Sequence, residues 1–511
     1  MSRQVRIAAL IWGGTALLSR VIGLVREAAI GRVMGASGEA DVYFTAFNLG
    51  DWINYLVAGG ALGLVLIPLF AGHLARKDEA AAWRSFSAIA NVLGLLVLGL
   101  VSFAWVAAPA LAPLLAPGFS ADQQALLVHL TRILLPAQVF HILGGILGAA
   151  LQARDKHGLA ALSSLVYAGS VVAGGVGLGT AEGFAWGALA GAALGPFGLT
   201  LYGNLRLGMA WRPGLDLGHP DLRTYLARSL PIMVGQSIVV WDDWILRHQG
   251  SQLGEGVVSL LNYGKTLMKV PLGVFGVAAG MAAYPTLARL VAEGRPEEAG
   301  RTLATAVRGT LALALGAGVA LTVAGAEVAA VVYGERLSAD DRAQIGVLVG
   351  LFCLGLWAWS AQSVIARGYY ALGRTWQPTL IGTVVLLAAL PAYSALGSAQ
   401  GAAGLALCSS LAISAYTLAL LVPLHRQLPG STDGLGLFAL RCLLPTAGGL
   451  GVGLGLGSLV SLPHPLLQGA MTGGAALLTF LALGLIVGIA ELRSLFDKVA
   501  RRLPGRAGAR P

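Results

Sequence analysis

The sequence has only three cysteines in 511 residues, Cys353, Cys408 and Cys442, each in an apolar stretch and none in a C-x-x-C spacing. That excludes a disulfide framework and a cysteine metal site, and predicts buried, inert thiols. Charge is scarce too: 11% of residues are Asp, Glu, Lys or Arg, against 56% hydrophobic, and mean hydropathy is +0.75. A water-soluble chain of this size cannot cover so much apolar material, so the expected class is an all-α, polytopic membrane protein. No loop is long enough for a soluble domain. There is no P-loop, no H-E-x-x-H and no G-x-S-x-G between strand and helix, so neither ATP-driven transport by this chain alone nor common hydrolase chemistry is indicated. No metal and no cofactor is expected. The net charge of +10 is dispersed among short loops, which points to membrane topology and not to nucleic acid.

What the sequence has in quantity is glycine, 72 residues, as fits close helix packing in lipid. A spanning helix needs about 20 largely apolar residues, and about fourteen such segments can be drawn. They cover 7–32, 42–72, 84–115, 123–152, 159–180, 183–206, 226–249, 256–288, 299–325, 344–371, 377–397, 401–424, 436–460 and 466–490. Lys and Arg concentrate in alternate connections: Arg76, Lys77 and Arg84; Arg154 and Lys156; Arg206, Arg212, Arg223 and Arg228; Arg289, Arg295 and Arg301; Arg374; Arg426. Both termini are basic as well, which predicts a cytoplasmic location for each and an even number of spans. Arg20 and Arg26 interrupt the first apolar segment and no small-residue cleavage site follows, so that segment is expected to remain in the mature protein.

The chain repeats itself weakly. Gly60–Leu69 at the end of the second span echoes Gly276–Leu287 at the end of the eighth, the first followed after five residues by Ala75-Arg76 and the second directly by Ala288-Arg289, and Gly183–Ala190 echoes Gly401–Cys408. Spans 1–6 (residues 1–215) and 7–12 (216–430) therefore read as two pseudo-symmetric six-helix lobes. Residues 431–490 form a terminal helix pair and 491–511 a basic tail, whose 491–503 stretch suits an amphipathic helix on an anionic leaflet.

Charges at membrane depth are expensive and functional by default, and here they cluster in the first two spans of each lobe. Span 1 holds Arg20, Arg26 and Glu27; span 2 Asp41, Asp51 and Asn54; span 7 Asp242, Asp243 and Arg247; span 8 Asn262, Lys265 and Lys269. Corresponding spans of two lobes tend to line a shared site, so a cleft among spans 1, 2, 7 and 8 is expected. Lys265 and Lys269 are four apart and share a helix face. Arginine presents a planar fork that binds phosphate bidentately and cannot be neutralised, which suits a pyrophosphate. Plainer readings stand beside these. Asp41 and Asp51 are either cavity groups or solvated span ends; Asp243 and Arg247, at i and i+4, are either functional or else structural or at the interface; Glu27 is read as the partner that orients Arg26 in preference to a proton carrier; Lys269 can snorkel to the surface. Arg367 in span 10 faces either the cavity or cytoplasmic water, and His141 is expected to be packed or hydrogen-bonded and not a ligand.

Several motifs carry a resemblance over nearly the whole chain: Ser19-Arg20-Val21-Ile22-Gly23-Leu24-Val25-Arg26-Glu27, Asp41-Val42-Tyr43-Phe44-Thr45-Ala46-Phe47, Ala116-Pro117-Gly118-Phe119, Pro271-Leu272-Gly273-Val274-Phe275-Gly276, Ala366-Arg367-Gly368-Tyr369-Tyr370 and Gly404-Leu405-Ala406-Leu407. Together they resemble the MurJ (MviN) family, bacterial lipid II flippases of the multidrug/oligosaccharidyl-lipid/polysaccharide exporter superfamily. The resemblance implies a cationic cavity that grips an undecaprenyl-diphosphate-linked saccharide, with Arg20, Arg26, Glu27 and Asp41 as cavity residues. It also implies the cytoplasmic (inner) membrane and a link to the cell-wall synthesis machinery. The pattern departs where the family has an Arg-Arg pair and a Glu, here Asn54-Tyr55 and Gly59, and where an acid-arginine pair reads Lys265-Thr266.

The expected activity is alternating-access transfer of lipid II, not catalysis, with coupling to membrane potential, protons or sodium left open. An outward-moving negative charge gains about 2.3 kcal/mol per 100 mV. A flippase for another lipid-linked polysaccharide precursor is the alternative. A cation-coupled drug exporter would want acidic or aromatic groups where this chain offers Arg20, Arg26, Lys265 and Lys269, and a membrane glycosyltransferase would want a sizeable catalytic outer loop.

Overall fold

The computed structural model describes residues 21–57, 62–234 and 237–500. Among them there is helix and turn but no strand. In lipid an unpaired backbone amide has no water to turn to, and a helix satisfies its own. In chain order the helices are α1 (21–34), α2 (Gly38–Val57), α3 (Ile67–Ala75), α4 (Glu79–Leu115), α5 (Ala121–Gln152), α6 (His157–Leu178), α7 (Ala181–Ala192), α8 (Thr200–Arg206), α9 (Pro220–Val234) and α10 (Ser237–Gly250). They continue as α11 (Val257–Pro271), α12 (Ala278–Ala292), α13 (Pro296–Val323), α14 (Gly325–Tyr333), α15 (Ala339–Cys353), α16 (Leu356–Ala371), α17 (Trp376–Gln427), α18 (Leu435–Leu459), α19 (Pro465–Ile486) and α20 (Ala490–Ala500).

Every one of the apolar segments drawn from the sequence holds helix in its described part. By length and composition together, eight helices among the described residues are fit to cross a membrane, and a ninth arises if α15 and α16, bent by 42°, count as one. The difference from about fourteen has local causes. The 52-residue α17 is two apolar segments joined through Gly401, whose φ of 61° and ψ of −140° break the helical path; a glycine tolerates that backbone where other residues are strained. The Leu162–Leu178 stretch of α6 and the two parts of span 7, α9 and α10, are each too short to count alone. Spans 2, 6 and 8 each carry a π-helical turn, at Leu62–Leu66, Ala193–Leu199 and Leu272–Val277, and spans 6 and 8 still count as crossing helices. Spans 2 and 8 are the pair that the repeat equates, and such turns often mark functional positions.

Starts and stops follow local chemistry. Asp78 caps α4 by accepting from the Ala81 amide at 2.8 Å, and Ser120 with Gln123, like Ser338 with Asp341, forms a reciprocal capping box at the head of α5 and α15.

Packing divides the chain into two compact units. Unit 1 takes the described residues to Ser259 together with Tyr333–Leu337, and unit 2 takes Leu260–Val332 and the described residues from Ser338. The packing boundary thus falls later than the repeat boundary at 215/216, because α9 and α10 pack with α2 and α4. Inside unit 1, α6 and α7 meet backbone to backbone: a Cβ on Gly174 would stand 2.4 Å from the Gly183 carbonyl, and one on Gly187 2.5 Å from that of Ser170. Small residues are what permit that approach in lipid. Unit 2 has a core of Val319, Phe438, Cys442, Ala476 and Phe480 that ties α13 to the α18–α19 pair. None of the three cysteines forms a disulfide, and Cys408 and Cys442 are buried.

Candidate functional site

In α1, Arg26 Nη2 donates to Glu27 Oε1 at 2.6 Å. The arginine side chain keeps 32% of its surface exposed and the glutamate 12%, so the pair neutralises charge at a largely covered position. Tyr43 and Tyr167 lie within electrostatic reach of Arg26. Tyr43 is buried on α2 against Phe47 and Phe184, at centroid distances of 5.2 and 5.7 Å. Glu27 Oε2 is buried without a hydrogen-bond partner. Arg20 lies outside the described residues, as does Gly59.

Asp41 is fully buried at the head of α2, and both of its oxygens are engaged: Oδ2 accepts from the Gly256 amide at 2.6 Å and Oδ1 from the Ser259 amide at 2.7 Å. These are amides at the N-terminus of α11, so the carboxylate caps that helix from a different part of the chain. Gly256 holds φ of 83°, and a Cβ there would approach the Ala36 carbonyl to 3.0 Å; this turn needs a glycine. Asp41 is therefore not a solvated span end but a cap.

A second polar group joins α2 to α10. Arg247 Nη1 donates to Asn48 Oδ1 and stands 3.7 Å from Asp51 Oδ2. Beside it Trp52 stacks on Trp244 at 3.6 Å and lies 5.3 Å from Trp241. Asp242 is buried, and both it and Asp243 have interaction partners. Asn54 Nδ2 donates to Gln138 Oε1 of α5 at 3.3 Å. Gly50 makes room for that glutamine, since a Cβ would come within 2.7 Å of its Nε2. His141 packs against the Tyr167 ring at 4.9 Å.

Unit 2 treats its cations differently. Lys265 is buried on α11, with Nζ 5.6 Å from the Trp359 ring and 6.0 Å from Phe352. Lys269, one turn later on the same face, is exposed. The stripe drawn from the sequence thus has one buried and one exposed end. Arg367 on α16 sits with Cζ 5.5 Å from the Tyr370 ring, and its Nε is buried without a hydrogen-bond partner. Gly280 brings α12 onto this helix, where a Cβ would meet the Ser363 carbonyl at 2.7 Å.

Asn48, Gln138, Tyr167 and the tryptophan trio were not among the residues singled out from the sequence. Their types are ordinary in a membrane helix, and only packing brings them beside the charges. Outside the spans, His73 at the end of α3 bonds Asp221 at the head of α9, Nε2 to Oδ2 at 2.7 Å. Burial pushes the Asp221 carboxyl up, but hydrogen bonds from His73 and Ser85, together with the charges of His73 and His219, outweigh it and leave the group below its ordinary range.

Comparison with known proteins adds to this geometry. The family model described as "Lipid II flippase MurJ" matches residues 30–467. The "Lipid II flippase MurJ" of Burkholderia cenocepacia is 27% identical over 437 residues, covering 82% of this chain and 84% of that protein. The "Probable lipid II flippase MurJ" of Rhizobium tropici is 28% identical over 431 residues, covering 81% and 80%. A solved structure titled "Lipid II flippase MurJ, inward closed conformation" superposes with a TM-score of 0.75 at 19% identity, over 96% of this chain and all of that one. An inward-facing MATE family multidrug resistance transporter of the MOP superfamily superposes with a TM-score of 0.60 at 16% identity, over 83% and 95%. At these identities the structures establish a shared fold, and the match of the family model across most of the sequence does the rest: this chain belongs to the lipid II flippase MurJ family.

Proposed function

We propose that this protein is a lipid II flippase that carries the undecaprenyl-diphosphate-linked headgroup from the cytoplasmic to the outer leaflet by alternating access, while the polyprenyl tail stays in lipid. The observation that carries this reading is the family match over residues 30–467. It is a multi-pass membrane transporter of the bacterial inner membrane, with both termini cytoplasmic by the distribution of Lys and Arg.

In this reading Arg26 is the principal diphosphate ligand in the described part of span 1, with Arg20 beside it in sequence. A guanidinium already oriented by Glu27, on a side chain that keeps a third of its surface exposed, can donate bidentately to phosphate oxygens at little reorganisation cost. Lys265 and Lys269 add charge from span 8, and Asn54 serves through Gln138. Asp41 contributes by fixing the start of α11. Asp242, Asp243, Arg247 and Arg367 are the coupling candidates, whether for protons, sodium or the membrane potential. The potential alone favours export, by about 2.3 kcal/mol per charge per 100 mV. A link to the cell-wall synthesis machinery follows from the substrate.

A second substrate, another polyprenyl-diphosphate saccharide, is favoured by one feature: Asn54-Tyr55 and Lys265-Thr266 stand where the family pattern has arginine-containing pairs. Depletion of the protein in its source organism, followed by analysis of lipid-linked intermediates, separates the two. Accumulation of lipid II is the expected result. Accumulation of a different lipid-linked glycan with normal lipid II would overturn the assignment.

A further inference from the structure

Where the ends of α5, α6 and α8 meet in unit 1 there is a cleft of about 310 Å³. Its walls are apolar, formed by Leu151, Leu159 and Leu207, and its rim carries Lys156, Arg206 and Tyr202. Gly203 forms part of the floor, and a Cβ there would come within 2.5 Å of Leu159 Cδ1, so the glycine lets α6 close on α8.

The rim is cationic and unneutralised. Arg154, a few residues away, is taken by Glu79, Nη2 to Oε1 at 3.1 Å. By contrast, no carboxylate pairs with Lys156 or Arg206 among the described residues. Arg206 is instead positioned by Tyr202: its Nε donates to the phenol oxygen at 3.1 Å and its Cζ lies 5.3 Å from the ring. One of five guanidinium N–H donors is used, and the terminal nitrogens remain. Lys156 and Arg206 both belong to the positively charged loop set, which faces the leaflet where anionic phospholipids concentrate.

We infer that this cleft is a binding site for an anionic membrane phospholipid, its phosphodiester held between Lys156 and Arg206 and an acyl chain laid along Leu151, Leu159 and Leu207. Two unpaired cations above an apolar cleft fit an anionic amphiphile, whereas a free anion leaves the leucines uncovered and a zwitterionic lipid brings its own cation against Lys156.

The test uses the full-length protein, delipidated in detergent and titrated separately with phosphatidylglycerol, phosphatidylcholine and inorganic phosphate, with bound lipid counted by native mass spectrometry. The Lys156→Gln/Arg206→Gln variant should lose about thirtyfold in phosphatidylglycerol affinity, from roughly 1 kcal/mol for each of the two basic residues near the surface. Its phosphatidylcholine binding and the melting temperature of the lipid-free protein should not change. An Arg76→Gln/Arg84→Gln variant removes the same charge elsewhere on that side and should bind phosphatidylglycerol as the parent does. The inference is overturned if the two double variants lose affinity equally, if phosphatidylcholine binds the parent as well as phosphatidylglycerol, or if inorganic phosphate competes. Should the first variant fail to fold, Leu159→Trp, which fills the cleft and keeps both charges, must lower phosphatidylglycerol binding by itself.

Discussion

In unit 1 the arginines at membrane depth meet carboxylates and amides: Arg26 bonds Glu27 at 2.6 Å, and Arg247 reaches Asn48 and Asp51. In unit 2 Lys265 lies over Trp359 and Phe352, and Arg367 over Tyr370. A carboxylate cancels a cation's charge and binds it directionally, so an incoming anion has to compete with it. An aromatic face stabilises the cation by roughly 0.5–2 kcal/mol and leaves its net charge intact. The two units therefore surround positive charge differently, unit 1 with carboxylate and amide oxygens and unit 2 with aromatic rings beside Lys265 and Arg367.

The largest effect should come from Arg26→Ala. Removing one member of a close, partly desolvated pair costs roughly 2–5 kcal/mol, a thirty-fold or greater loss of lipid II transfer in proteoliposomes. The Arg26→Ala/Glu27→Ala double variant sharpens the comparison. If the arginine served only to satisfy Glu27, the double variant would regain activity; a diphosphate ligand predicts that it stays inactive.

A smaller loss, in stability and not in affinity, is expected of Asp41→Ala. Two buried amides at the head of α11 would lose their acceptor, for about 1–3 kcal/mol. Thermal unfolding in detergent should show a lowered midpoint, and Asp41→Asn, which keeps one acceptor oxygen, should fall between the two. No change in either variant would mean that the cap contributes nothing to the fold.

The smallest effect on the fold should be that of Lys265→Met, which replaces a ring-held cation by an apolar chain of similar length. Unfolding should shift by less than about 1 kcal/mol, while lipid II transfer falls and Lys265→Arg largely restores it. A destabilisation as large as that of Asp41→Ala would break the comparison, because Lys265 would then matter to the fold as much as a buried helix cap does.

Much of this was readable from the chain before any coordinates. Hydropathy placed helix in each apolar segment, because a backbone in lipid has few other ways to satisfy its hydrogen bonds. Adjacency alone suggested that Glu27 attends Arg26, and the structure places them in contact. His141 was expected to pack and does. Other residues were ambiguous. Asp41 read equally as a cavity group and as a solvated span end, because its partners, the amides of Gly256 and Ser259, are more than 200 positions away. The i, i+4 spacing of Asp243 and Arg247 suggested a local pair, whereas Arg247 also reaches back to α2. Lys265 and Lys269 share a face as spacing required, yet one is buried and the other exposed, since burial depends on which neighbour lies over each turn.

The sequence by itself determined the class, the helical segments, the charged character of spans 1, 2, 7 and 8 and the family pattern, all properties carried by composition, period and short motifs. Only the tertiary structure decided what each polar group is bonded to: which carboxylate caps a helix, which cation meets an acid and which a ring, and where two basic residues are left beside an apolar cleft. Those outcomes depend on contacts between residues far apart in the chain, and distance along a sequence carries no record of distance in space.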